Sequence, residues 1–97
     1  AAIESLGAQF QALTNEQAAQ SKIAGGVQVT HINDGGIIGS QTNMKDGFII
    51  TKIGNTVVKT VDDLKAALNK QGSNFQIEGI YPGSTDVYYY GINGFGQ

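Results

Sequence analysis

The stretch "KDGFIITKIGNTVVKTVDDLKAAL", Lys45 to Leu68, decides the fold. Asp46-Gly47 is turn chemistry. The apolar run that follows, Phe48 to Ile53, reads as a central strand, and Gly54-Asn55 folds it tightly back into a short return strand, "TVVKT". Thr60 then offers a hydroxyl to cap a helix, and Asp62 and Asp63 suit the positive end of its dipole. "VDDLKAALNK" runs as that helix to a stop at Gly72. Val61, Leu64 and Leu68 fall at i, i+3 and i+7 with Ala67 beside them, an apolar stripe that needs a sheet to cover.

Upstream, "LGAQFQAL" puts Ala8, Phe10 and Ala12 on one face of a strand and Gln9 and Gln11 on the other. Thr14 with Gln17 has the form of a capping box, predicting a short helix in "TNEQAAQSK" that ends before Gly25-Gly26. "GVQVTHIN" reads as a strand closed by the "DGG" turn, and "IIGSQTNMKDG" allows one helical turn around Ile37 to Ser40. Downstream, "FQIEGIY", a turn at Pro82-Gly83 and "DVYYYGIN" make a closing hairpin. Tyr89 alternates to the face opposite Tyr88 and Tyr90, so the tyrosine run reads as sheet and not as a stacking platform. The pattern predicts one α+β domain over residues 1–97, with 1–5 and 94–97 as linker or frayed tail. It should be a small, partly open β-barrel or sandwich of about five or six mainly antiparallel strands, one long helix and one or two short ones.

At 97 residues the chain has one thin core, and a net stability of about 5–15 kcal/mol leaves little margin for strained chemistry. Six lysines, no arginine and eight acidic residues give a net charge of −2 with no basic cluster, which argues against nucleic acid or an anionic membrane surface as partner. No apolar run is long enough to span a bilayer and no signal peptide opens the chain. The absence of Cys excludes disulfides and thiolate metal sites. His31 is the single histidine and sits in a strand; no serine has nucleophile-elbow flanks, and Asp34, Asp62 and Asp63 lack calcium-loop spacing. No catalytic residue, metal or cofactor is implied.

The Lys45 to Leu68 run resembles the core segment of PDZ domains from the HtrA/Deg-type trypsin-like serine proteases, where a Gly-Asp turn, an apolar strand, an Asn-Gly-type turn and a "V-x-x-L-x-x-A-L" helix follow one another. "GVQVTHINDGG" resembles the strand and turn ahead of their Gly-Ser-Pro-Ala-rich loop, and "LGAQF" their carboxylate-binding loop. Two features depart from the family: "GGIIGSQTNM" lacks the Pro and paired alanines, and Ala8 stands where a bulkier aliphatic is common. The form is closest to the last PDZ domain of a two-PDZ protease, of the bacterial, circularly permuted type.

The resemblance implies a peptide-binding groove between the strand at 7–12 and the helix at 61–70. Gly7, through the backbone angles and close approach that glycine permits, would let inward N–H groups hold a chain-terminal carboxylate. The peptide would add as a strand along Ala8, Gln9 and Phe10, with Leu6, Ala8 or Phe10 and Leu68 around its last side chain, Lys65 at the rim and Val61 near the third-from-last residue. On residue pattern alone Gly7 is an ordinary strand-entry glycine, Gln9 is solvated, Lys65 is solvated and Leu68 is core or pocket. Gly7→Val should abolish peptide binding while leaving the melting temperature nearly unchanged; a large loss of stability would instead mean that Gly7 is structural. The implied module is non-catalytic and belongs to a protease that is periplasmic or otherwise exported. It would capture hydrophobic C-terminal or extended segments of misfolded proteins and contact the protease domain and other subunits of an oligomer. The alternative is an assembly domain with a degenerate groove that docks subunits, favoured if Ile37-Ile38 is an exposed apolar pair; a third is a groove blocked by the tail carrying Phe95.

Overall fold

The computed structural model describes residues 7–20, 25–33, 35–70, 74–82 and 86–93, leaving out the Gln17 side chain. Leu6, the Asp34 and Gly83 turn positions, the Gly72 stop, the Gln17 half of the capping box and the tail with Phe95 therefore lie outside the described residues. Within them the strands are β1 (Ala8–Ala12), β2 (Val27–Ile32), β3 (Ile49–Ile53), β4 (Thr56–Val57), β5 (Phe75–Ile80) and β6 (Tyr88–Ile92), and the helices α1 (Asn15–Gln20), α2 (Ile37–Gln41) and α3 (Val61–Lys70).

"FIITKI" is central because its neighbours pair with both of its edges. On one side β2 meets Ile49 and Ile50, and β4, folded back through the Gly54-Asn55 turn, meets Lys52 and Ile53; β5 runs along the other side. Ile50 stands opposite Gly79 and Lys52 opposite Glu78, so Thr51 is an extra residue; its hydroxyl donates to the Glu78 carbonyl at 3.2 Å and its carbonyl accepts Val58 N–H at 2.9 Å. The bulge thus leaves the Thr51 hydroxyl and carbonyl both paired. The whole sheet is antiparallel, ordered β1-β2-β3-β5-β6 with β4 beside β3. Among the described residues it is one open sheet, in keeping with the partly open architecture that the strand pattern implies, and β1 and β6 end its strand order.

Helix α3 forms as its end signals require. Thr60 Oγ1 accepts Asp63 N–H at 3.0 Å, Asp63 Oδ2 in turn accepts Lys59 N–H at 3.1 Å, and Leu64 N–H reaches the Thr60 carbonyl at 3.0 Å. The Asp63 N–H, an orphan donor of the first turn, is thereby satisfied, and the Leu64 bond is the first of the helix. The stripe of Leu64, Ala67 and Leu68 is buried with Val27, Val29, Phe48, Ile50, Ile53, Val58 and Ile77 in one core, and Val61 packs half-buried against it. At about 25 cal/mol per Å² of apolar surface removed from water, this stripe holds the helix to the sheet.

The short α2 seats Ile38 fully in that core, with Ile37 packed partly buried against it. It is tied to the far edge through Gln41, whose side-chain amide donates to the Asn93 carbonyl at 2.6 Å and accepts Asn93 N–H at 2.7 Å. One side chain here supplies the donor and acceptor that a neighbouring strand would have supplied. β1 begins buried at Ala8, but Ala12, on the same face, is exposed; alternation assigned its side and not its burial.

Candidate functional site

β1 is an edge strand flanked by α3, and its own hydrogen bonds show which backbone groups look outward. Gly7 C=O accepts Asn33 N–H at 2.9 Å, and Leu13 N–H donates to Gly26 C=O at 3.2 Å. These odd-numbered positions face β2. In a strand the N–H and C=O of one residue point the same way and alternate along the chain, so Ala8, Phe10 and Ala12 turn theirs to the open edge. A register irregularity lies opposite Gln9 and Phe10: Gln9 pairs with His31 and Phe10 with Val29, leaving Thr30 over. The extra residue is in β2, so β1 keeps its alternation and its ladder of outward donors and acceptors is unbroken.

At the head of this ladder Gly7 has φ +73°, the left-handed region that glycine enters without cost. Gly7 is also pressed against Gly36: a Cβ on Gly7 would lie 2.3 Å from Gly36 Cα, and one on Gly36 would lie 2.5 Å from Gly7 Cα. The expectation that Gly7→Val spares stability is therefore corrected. The glycine is required by packing as well as by conformation, and the two backbones can meet only while both lack side chains.

Of the residues singled out in the sequence, Gly7 is half-buried, Ala8 is buried, Gln9 is exposed and Phe10 is half-buried against the core. Across from them α3 presents Val61 half-buried, Lys65 exposed and Leu68 2 % exposed. Leu68 is thus a floor shared with the core, not an open pocket wall. The edge, with Ala8 and Leu68 buried behind it, Gln9 and Lys65 exposed and α3 alongside, can pair an extended backbone. His31 is exposed, and among the described residues no three His, Cys, Asp or Glu side chains gather to hold a metal.

A second cluster was not legible in the sequence. Tyr81, Tyr88 and Tyr90 gather on Phe48: Phe48 packs edge-on to Tyr81 at 4.9 Å and to Tyr90 at 5.1 Å, and Tyr81 to Tyr88 at 5.0 Å between ring centroids. Tyr81 and Tyr90 share a hydroxyl hydrogen bond of 2.7 Å, and Tyr81 Oη also accepts Lys45 N–H at 3.1 Å. Burial, then the Tyr81 hydrogen bond, push the Tyr90 phenol well above its ordinary pKa. Alternation put Tyr88 and Tyr90 on one face, but their convergence with Tyr81 and Phe48 depends on β5 lying between β3 and β6.

No protein-family model matches the chain, and no curated protein does. Among solved structures it is similar to the HtrA3 PDZ domain, whose crystal structure contains a phage-derived ligand, FGRWV; the two superpose with a TM-score of 0.73 at 18 % identity, over 95 % of this chain and 91 % of that one. With its antiparallel six-stranded open sheet, one long helix and two short ones, the chain has a PDZ-like α+β fold.

Proposed function

We propose that the chain is a peptide-binding PDZ module whose groove lies between β1 and α3, and that the parent protein is an exported HtrA-type serine protease in which it is the last PDZ domain. The observation that carries the reading is the outward ladder of Ala8, Phe10 and Ala12 beside α3, headed by the left-handed Gly7. A peptide added to this edge gains backbone hydrogen bonds irrespective of its sequence, while its side chains alternate toward Ala8, Leu68 and Val61. The apolar floor favours a hydrophobic last residue, each such side chain contributing roughly 1.5–3 kcal/mol on burial. Association costs at least about 4 kcal/mol, so one module binds weakly, and several on an oligomer gain through effective concentration. Hydrophobic C-terminal or extended segments of misfolded proteins are the fitting ligands, and the module itself is non-catalytic. That the similar HtrA3 domain holds a ligand ending in Val supports this choice.

The subunit-docking alternative, motivated by the altered loop from Ile37 to Met44, lacks the exposed apolar pair that would favour it, because Ile38 is fully buried and Ile37 packs on the core. The test is an NMR titration of the isotope-labelled chain with one short peptide ending in Val, as the free acid and as the amide. Saturable shifts at Gly7, Ala8 and Leu68 with the acid, and much weaker ones with the amide, are expected. No shift along β1 and α3 with either peptide would overturn the reading.

A further inference from the structure

On the opposite edge of the sheet, Asn43, Lys45, Tyr81, Tyr88 and Tyr90 line a pocket of about 370 Å³. That volume lies within the range of ligand sites. We infer that this pocket is a second recognition site, which takes a proline-bearing acidic segment of an extended polypeptide.

Three features specify the ligand. The walls are ring surfaces: Tyr81 and Tyr88 meet edge to face, 82° to each other at 5.0 Å between centroids, so together they form an aromatic corner against which a proline ring can pack from outside. Its polar equipment is rich in donors. Tyr81 and Tyr90 hold one hydroxyl hydrogen between them, which leaves the other to be donated outward, and the Asn43 amide, Tyr88 hydroxyl and Lys45 ammonium add to it. A proline residue presents a carbonyl acceptor and no N–H, so its backbone complements such a surface without an unmatched donor. Finally, Lys45 is exposed and no carboxylate lines the pocket, so the complementary neighbour of the proline is acidic. Tyr88 is 39 % exposed, and Asn43 and Lys45 are exposed as well. Such walls leave much of any ligand uncovered, which suits part of a longer chain better than a small molecule needing enclosure on most of its surface. The site stands at the other end of the strand order from β1, and its test is independent of the groove there.

The experiment is an NMR titration with the acetylated, amidated peptide Glu-Pro-Pro-Pro-Glu, whose blocked end gives the β1 groove no terminal carboxylate. Saturable shifts are expected at Lys45, Tyr81, Tyr88 and Tyr90 and not at Ala8 or Phe10. Lys45→Glu and Tyr88→Ala should each weaken binding at least about tenfold, whereas Tyr89→Ala, on the other face, should leave it unchanged. The comparison peptide Lys-Pro-Pro-Pro-Lys, which needs no variant, should bind far more weakly. Equal binding of the two peptides, or no saturable shift at these four residues, would overturn the inference.

Discussion

Gly7 and Gly36 meet backbone to backbone: the Cβ that either lacks would lie within 2.5 Å of the other's Cα. This contact locks the head of β1 to the turn before α2, and it fixes where the outward ladder begins.

It separates two costs of adding a methyl group. Gly36 has φ −80°, so Gly36→Ala meets only the steric penalty, about 1–3 kcal/mol for overpacking. Gly7→Ala meets that and also the left-handed backbone penalty of about 1–2 kcal/mol. Urea unfolding should show both variants destabilised, Gly7→Ala more so. Unchanged midpoints would mean that the two segments can move apart.

The cap of α3 should be worth what its hydrogen bond indicates. Thr60→Ala removes the acceptor of Asp63 N–H and is expected to cost about 0.5–2 kcal/mol, with Thr60→Ser close to the original protein. A stability as low for the serine as for the alanine would assign the loss to the methyl group instead.

Leu68 and Lys65 divide core from rim. Leu68→Ala, at a position 2 % exposed, should lower stability by about 2–5 kcal/mol. Lys65→Ala, exposed on the same helix, should stay within about 0.5 kcal/mol, so it is the cleaner probe of the groove. Calorimetric melting of both variants checks this; equal losses would mean that the Lys65 stem carries packing.

Tyr90 gives alkaline stability a direction. Its phenol holds its proton to higher pH in the native state than in the unfolded chain, where tyrosine ionises near pH 10. The contribution is whole below about pH 10 and is lost as pH rises beyond it, because the unfolded state then binds fewer protons. Urea midpoints measured across this range should fall less steeply for Tyr90→Phe than for the original protein. Parallel curves would contradict the burial of that phenol.

What could be read in advance was whatever local chemistry decides. The turn at Gly54-Asn55, the Thr60 cap and the apolar stripe of α3 are each set by residues within a few positions of one another. The bulges at Thr30 and Thr51 had no local signal, since an extra residue is defined only against its partner strand. Ala12 followed the alternation of β1 and is still exposed, because periodicity names a face and not what covers it. For the site, pattern and resemblance together brought β1 and α3 into view. The Gly7–Gly36 contact, the Gln41 amide pairing with Asn93 and the tyrosine corner join residues far apart in the chain, and no spacing rule reaches them.

The central claim, that Ala8 and Phe10 offer their backbone to an added strand, is tested most directly by amide hydrogen exchange along β1 with and without a short peptide ending in Val. Alone, the chain should protect Gln9 and Gln11, which face β2, and exchange quickly at Ala8, Phe10 and Ala12. Saturating peptide should slow Ala8 and Phe10 and leave Gln9 and Gln11 as they were. Exchange at Ala8 and Phe10 that stays fast with peptide bound would contradict the account.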